Sequence, residues 1–323
     1  MITLSRYATL AALATLGLLV AGGLISITES GLACPDWPLC EGRYIPPMID
    51  GKQFEHTHRL IASFVGVMTF GLAALIFKHR SGDRLLKTLG VAAVLLVIAQ
   101  ALLGALTVKL ALPAWVSSAH LATALVFFSV MVSFPFLITQ RSVSNPGLRL
   151  PEEVPGSVQA LQRFTWGVVG LSYLQLVLGG VMRHTRAGLA CGFDFPRCLG
   201  QWWPADGYFG IQIHMLHRVT GALVGFAVVA LSVWLWRAAR GHRMLRALAA
   251  SLTLAVLGQI ALGIATILSS RGPVVMTMHS TLGAALLANL IAVHWLAFPI
   301  KTVTPAPRRM QSVLIKTPAW EPS

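Results

Sequence analysis

The chain has 323 residues, of which 55% are hydrophobic and only 11% are charged, and its formal net charge is +14. Soluble domains carry about 25% charged residues, whereas the mean hydropathy of this chain is +0.71. This composition excludes an ordinary soluble protein and predicts a polytopic membrane protein.

Eight apolar stretches are long enough to cross about 30 Å of hydrocarbon as helices. We predict spans near 7–28, 57–77, 89–108, 117–139, 164–184, 213–236, 247–268 and 277–299. The apolar length of the first stretch exceeds the roughly 7–15 residues of a signal-peptide core, so we expect a retained helix. The predicted fold is therefore an all-α bundle that spans the membrane eight times.

The charged residues separate by side of the membrane. The loops 78–87, 141–163 and 237–246, together with the termini, hold 16 of the 25 Lys and Arg residues, and the opposite loops hold 7. The positive-inside rule then predicts that both termini are cytoplasmic. The excess of basic over acidic residues is explained by membrane topology, and no nucleic-acid partner is expected.

All four cysteines fall in predicted outer loops. The first loop contains "GLACPDWPLC" (31–40) and the third contains "GLACGFDFPRC" (188–198). An oxidising outer compartment permits one disulfide in each loop, Cys34–Cys40 and Cys191–Cys198. A structural role is favoured for these disulfides. A redox role stays open because both cysteine pairs are exposed and lie near the histidines described below.

The two halves of the chain repeat one another. "LLVAGGLISITESGLAC" (18–34) parallels "QLVLGGVMRHTRAGLAC" (175–191), and "EHTHRLIASFVG" (55–66) parallels "HMLHRVTGALVG" (214–225). Four helices per unit give both units the same orientation, as in parallel repeats. We predict two four-helix bundles, 1–145 and 164–300, joined by a cytoplasmic linker at 146–163 and followed by a cytoplasmic tail at 301–323.

Four of the ten histidines are paired by the repeat: His58 with His217, and His120 with His279. Each falls near the outer end of an even-numbered helix. Polar residues at this depth are costly and usually face a bundle interior. Histidines on facing helices can supply both axial ligands of a haem. Core histidines with ordinary hydrogen bonds are the alternative, and a zinc site is disfavoured because zinc requires four close ligands.

Three charged residues adjoin the paired histidines. Arg59 and Arg218 directly follow His58 and His217, and their guanidinium groups suit either haem propionates or lipid headgroups. Glu55 lies three residues before His58, on the same helix face, where the second half has His214. Its carboxylate could move protons beside a bound haem; the alternative is that it stabilises the helix N-terminus.

These features together resemble the haem A synthase family, from about residue 10 to residue 300. The resemblance rests on eight helices in two repeats, on Glu-x-x-His-Arg in "EHTHR" (55–59), on the paired histidines and on cysteine pairs in two outer loops. The cysteines are typical of the bacterial type that retains them.

The resemblance implies an activity and a set of sites. The family oxidises the C8 methyl group of haem O to the formyl group of haem A, which terminal oxidases use. By motif, His58 and His120 would bind the substrate haem and Glu55 would be the catalytic acid. His217 and His279 would bind the iron of a haem b, so haem iron is the only metal expected. Cys34–Cys40 would be the disulfide that some members need for activity.

Other functions and partners remain open at this stage. A di-haem b, quinol-linked electron-transfer cytochrome would use the same four histidines, whereas a thiol oxidoreductase would leave them unexplained. A haem or small-molecule transporter would need a pathway open to both sides of the membrane, although the candidate residues lie near one face. The localisation expected is the bacterial plasma membrane, with the cysteine loops outside. Candidate partners are the farnesyltransferase that makes haem O, oxidase assembly factors and a second copy of the chain. We assign no role to His56, His184 or His214.

Overall fold

The computed structural model describes residues 3–142, 158–239 and 241–298, with backbone alone for residues 141 and 142. This part of the chain is helical. Its elements are α1 (Leu4–Ile27), α2 (Lys52–His79), α3 (Arg84–Lys109), α4 (Ala114–Ser142), α5 (Val158–His184), the 3-10 helix η1 (Ala187–Leu189), α6 (Phe209–Ala238), α7 (Arg243–Leu268) and α8 (Pro273–Ala297). All eight α-helices are long and apolar enough to cross a membrane. The predicted all-α, multi-pass fold is confirmed.

The helices are longer than the predicted spans. They contain 24 to 30 residues, or about 36–45 Å at about 1.5 Å per residue, so they extend beyond a hydrocarbon core of about 30 Å. One consequence is that α2 begins at Lys52, which places Glu55 inside its first turn. Local chemistry sets some ends: Asp83 Oδ1 accepts a hydrogen bond from the Leu86 N–H at the start of α3, and Pro273 begins α8.

Helix α5 begins at Val158, inside the segment 146–163 that the sequence predicts to be a linker. Leu161, in the first turn of this helix, is fully buried in the hydrophobic core. Residues 146–157 of that linker lie outside the described residues, as does the predicted tail at 301–323.

Each half has the same neighbour relations. In the first half α1 packs on α2 and α4, and α3 packs on α2 and α4; in the second half α5 packs on α6 and α8, and α7 packs on α6 and α8. This is the arrangement expected of a four-helix unit.

The halves meet through α1 and α4 on one side and α5 and α8 on the other. One hydrophobic core runs through both halves. Polar contacts also cross this interface: Trp295 Nε1 donates to Ser133 Oγ at 2.9 Å, and Tyr173 Oη donates to the Ala122 carbonyl at 3.2 Å. The outward faces expose large apolar side chains such as Val67, Phe226 and Leu254, as lipid contact requires.

Candidate functional site

The four paired histidines occupy equivalent places near the N-terminal ends of the even-numbered helices. His58, His120 and His279 are the seventh residues of α2, α4 and α8, and His217 is the ninth residue of α6. His58 lies close enough to His120 for electrostatic interaction, and so does His217 to His279. Each half therefore carries two neighbouring histidines, His58 and His120 in the first half and His217 and His279 in the second.

Each histidine ring packs against a glycine of the preceding helix. A Cβ built on Gly22 of α1 would lie 3.1 Å from Cε1 of His58, and one on Gly179 of α5 would lie 2.9 Å from Cε1 of His217.

The other two histidines repeat this contact. The equivalent distances are 3.5 Å from Gly104 of α3 to His120 and 3.3 Å from Gly263 of α7 to His279. A Cβ at Gly22, Gly179 or Gly263 would crowd the ring, whereas at Gly104 it would make an ordinary van der Waals contact.

One nitrogen of each histidine ring has no partner within the described part of the chain, whereas Nε2 of His217 lies 3.5 Å from Nε2 of Gln175. All four Nδ1 atoms are buried without a hydrogen-bond partner among the described residues. The backbone carbonyls of Leu18, Gln175 and Gln259 lie near the rings of His58, His217 and His279, although outside strict hydrogen-bond geometry. Histidines that bind a metal usually direct their other nitrogen to such a carbonyl. Two imidazoles per half with unused nitrogens fit the donor set of a bis-histidine haem.

Glu55 is anchored to the first cysteine loop. Only 4% of the residue is exposed. Its Oε2 accepts the backbone N–H of Cys34 at 2.8 Å, and its Oε1 pairs with Nη2 of Arg59 at 2.6 Å. The carboxylate therefore lies between the disulfide loop and the turn that carries His58, which neither of the two sequence interpretations of Glu55 included.

Arg59 binds the same loop. Its Nη1 donates to the carbonyls of Asp36 and Leu39, and its Nη2 donates to the carbonyl of Cys34 as well as to Glu55. Both terminal nitrogens of this guanidinium are thus engaged within the protein.

Arg218 repeats only half of this pattern. Its Nη1 donates to the carbonyls of Asp194 and Arg197, the equivalents of Asp36 and Leu39. Its Nε and Nη2 are buried without partners within the described part of the chain, because His214 replaces the acid that Glu55 provides in the first half. Arg218 therefore keeps free donors that Arg59 does not.

Both predicted disulfides are present in the structure. Cys34–Cys40 closes the first loop and Cys191–Cys198 closes the loop after η1. In the first loop Asp36 accepts the backbone N–H groups of Gly42 at 2.8 Å and Glu41 at 2.6 Å. The Gly42 hydrogen bond is the main cause that lowers the pKa of Asp36 below its ordinary value.

The remaining histidines separate into different environments. His56 is buried with both ring nitrogens unpartnered among the described residues. His294 packs among Trp166, Trp295 and Phe298 near the other end of the bundle. His184 Nδ1 lies 3.0 Å from Ser118 Oγ of α4, across the interface between the halves.

Sequence reasoning missed two parts of this site. The four glycines repeat at offsets of 157 and 159 residues, as the histidines do at 159, so the internal alignment could have identified them. Arg183, at the end of α5, has no such signal because its counterpart in the first half is Ser26. Only the packing brings its side chain beside α1.

Comparison with known proteins gives the family. A family model described as "Cytochrome oxidase assembly protein" (COX15-CtaA) matches residues 5–55 and 52–291. The chain belongs to this family. It is 31% identical over 293 residues to a heme A synthase of Halalkalibacterium halodurans, covering 89% of this chain and 95% of that protein. It is 30% identical over 292 residues to a heme A synthase of Shouchella clausii, covering 89% and 94%.

Proposed function

We propose that this chain is a haem A synthase, an enzyme of haem biosynthesis that oxidises the C8 methyl group of haem O to a formyl group. Membership of the family supports the proposal, and so do the two relatives, both of which are named heme A synthase. The observation that carries it is the repeated packing of four histidines, two in each half, each ring against a glycine and each with a buried Nδ1 that has no partner among the described residues.

In the first half, His58 and His120 hold the substrate haem O. They come from α2 and α4, so they reach the haem from different helices and fix its plane within the bundle. The apolar core around α1 to α4 excludes water from the reacting methyl group.

In the second half, His217 and His279 hold a haem b. This haem supplies one-electron chemistry when bound. Gln175 supports the site, since its Nε2 donates to the His217 carbonyl at 2.9 Å and its Oε1 accepts a hydrogen bond from the Thr220 hydroxyl. These contacts hold the turn of α6 that carries the ligand.

Glu55 is the proposed acid–base group beside the substrate. Oxidation of a methyl group removes hydrogen from its carbon, and a buried carboxylate one helical turn from His58 can accept a proton there. Arg59 and the Cys34 N–H orient this carboxylate.

The two arginines have different proposed roles. Arg59 holds the disulfide loop and Glu55, because its terminal nitrogens are already engaged. Arg218 binds a propionate of haem b, because its Nε and Nη2 lack partners among the described residues.

The setting of the enzyme is also part of the proposal. We expect a bacterial plasma membrane, cytoplasmic termini and cysteine loops on the outer face, from the distribution of Lys and Arg. The enzyme that makes haem O, oxidase assembly factors and a second copy of the chain are the proposed partners.

Acid extraction of the haems from the purified chain, followed by reverse-phase chromatography, tests the function. We expect haem b together with haem O, haem A or a hydroxylated form of haem O. Haem b alone, from cells that contain haem O, would instead support the electron-transfer cytochrome. A preparation without haem would contradict the assignment of all four histidines.

A further inference from the structure

The last two residues of α5, Arg183 and His184, have no part in the site proposed above. They belong to the second half of the chain, and their first-half counterparts are Ser26 and Ile27, which carry no charge. Both side chains nevertheless contact the first half.

His184 faces the helix that carries His120. Its Nδ1 lies 3.0 Å from Ser118 Oγ, two residues before His120 on α4. It is also close enough to interact electrostatically with His120 and with Arg183. The end of α5 therefore lies at the depth of the first histidine pair.

Arg183 reaches α1, the helix against which the His58 ring packs. A Cβ on Gly23 of α1 would lie 3.9 Å from Nη1 of Arg183, whereas a Cβ on the preceding residue, Gly22, would lie 3.1 Å from the His58 ring. The guanidinium is thus one residue along α1 from the contact that seats His58.

Close packing of α5 on α4 determines where the Arg183 side of α5 faces. Gly180, one turn before Arg183 on the same face of α5, approaches α4 so closely that a Cβ there would lie 2.3 Å from Cδ2 of Leu121. Because α4 also packs on α1, the face of α5 with Gly180 and Arg183 points to the junction of α1 and α4.

No acidic side chain within the described residues forms an ion pair with Arg183. Its Nε is buried without a hydrogen-bond partner, and the ion pairs within the described residues are Lys52–Glu41 and Arg59–Glu55. A half-buried guanidinium whose Nε has no partner is costly in a membrane protein. Its planar set of donors matches the two oxygens of a carboxylate.

We propose that Arg183 binds a carboxylate of the haem held by His58 and His120, so that the second half of the chain completes the substrate site of the first half. His184 positions the end of α5 through its contact with Ser118. This inference rests on the proposed function and adds a residue that recognises the substrate. A phosphate of an anionic lipid offers the same chemistry, and the experiment separates the two sources.

The test is a spectroscopic titration of the full-length, detergent-purified chain, with its haem b in place, by haem O and by haem O dimethyl ester, which lacks free carboxylates. We expect the ester to bind wild type about 10- to 100-fold more weakly than haem O, because the ester cannot form the hydrogen bond between a carboxylate and the charged guanidinium. Arg183→Gln should bind haem O as weakly as wild type binds the ester, with little discrimination between them. Arg183→Lys should recover part of the difference.

Arg186→Gln is the matched control, since Arg186 is exposed and lies only three residues along the chain. It should bind both haems as wild type does. The haem b spectrum of each variant reports whether the second half is folded, and the ester comparison in wild type needs no variant.

Two results would overturn the inference while the proposed function stands. One is equal binding of haem O and its ester by wild type. The other is unchanged discrimination in Arg183→Gln together with the loss of a co-purified anionic phospholipid by mass spectrometry, which would assign Arg183 to lipid. If wild type retains haem b but binds no haem O, the proposed function itself fails.

Discussion

At the scale of single residues, glycine determines where each histidine ring can lie. Gly22, Gly104, Gly179 and Gly263 all precede a histidine-bearing helix and all lie against its ring. The contact with His217 is the tightest of the four, because a Cβ on Gly179 would come within 2.9 Å of the ring. A side chain there must displace the ring, because a Cβ contact shorter than 3.0 Å cannot be kept.

Gly179→Ala should therefore weaken haem b binding by about 10- to 100-fold, the order found when a group that orients a metal ligand is changed. Gly170→Ala in the same helix is the control, because nothing lies within 4 Å of a Cβ there. Haem b content per purified chain, from the reduced absorption spectrum, measures the effect. Equal content in the two variants would contradict the packing explanation.

The acid–base role proposed for Glu55 can be tested by substitution. Glu55→Gln keeps a hydrogen-bond acceptor for the Cys34 N–H but removes the charge paired with Arg59. We expect conversion of haem O to fall by about 10²–10⁴-fold, the usual contribution of an acid–base group, while haem b content is retained. Glu41→Gln, which removes an acid of the same loop paired with Lys52, should convert haem O normally. Full conversion by Glu55→Gln would exclude a catalytic role.

At the scale of elements, the two cysteine loops share a frame but differ in what they hold. In both, a helix arginine donates to the carbonyls of equivalent loop residues. Only the first loop binds a carboxylate beside a histidine pair, through the N–H of Cys34. The first loop is thus linked to the proposed chemistry, and the second is not.

Replacing Cys34 and Cys40 by Ser should lower turnover by about tenfold or more, since the loop would no longer hold the Cys34 N–H on Glu55, a hydrogen bond to a charged group. The matched variant with Cys191→Ser and Cys198→Ser should turn over at nearly the wild-type rate. Chromatographic measurement of haem A formed per chain compares the two. Equal losses would mean that both disulfides act only through stability.

The first loop also has a predictable pH dependence. Asp36 has a lowered pKa in the folded loop, chiefly because it accepts the Gly42 N–H. The contribution of Asp36 to the stability of the folded loop is therefore fully present above its ordinary pKa of 3.8. This contribution is lost as the pH falls through the lower pKa of the folded state. Hydrogen-exchange protection of the Glu41 and Gly42 amides should decrease over that acid range, and in Asp36→Asn it should already be low at neutral pH. Protection that is independent of pH in wild type would refute this.

At the scale of the whole molecule, the two halves form a continuous core rather than separate bundles in contact. The buried cluster includes residues of both halves, and hydrogen bonds cross between α4 and α8 and between α4 and α5. Between membrane helices, close packing and such hydrogen bonds provide the attraction. If Arg183 completes the first site, this interface is also where the halves depend on each other for function.

Two co-expressed polypeptides, 1–142 and 158–323, should therefore assemble and co-purify through a tag on one of them. Gly180→Leu should reduce co-purification, because α5 lies directly against Leu121 of α4 at that position. Gly170→Leu, where the space is open, should have no effect. Recovery of the tagged half alone in the unmodified pair would show that the interface is too weak to hold the halves together.

Composition and hydropathy were sufficient to predict the number, type and approximate position of the helices. Spans of this kind are specified by local apolar length, since the lipid requires backbone hydrogen bonds to be satisfied within each segment. The internal repeat also identified the histidine pairs and the cysteine loops by residue. The helix ends were less predictable, because burial of residues such as Leu161 depends on neighbouring helices.

The partners of the charged groups were decided by the tertiary structure alone. Sequence reasoning left Arg59 between a propionate and the lipid, whereas the fold gives it the carbonyls of the disulfide loop and Glu55. It also left Arg183 unremarked, although packing brings it beside α1 of the other half. A helix period determines which residues share a face, but the direction and depth of a long side chain depend on contacts between elements far apart in the chain.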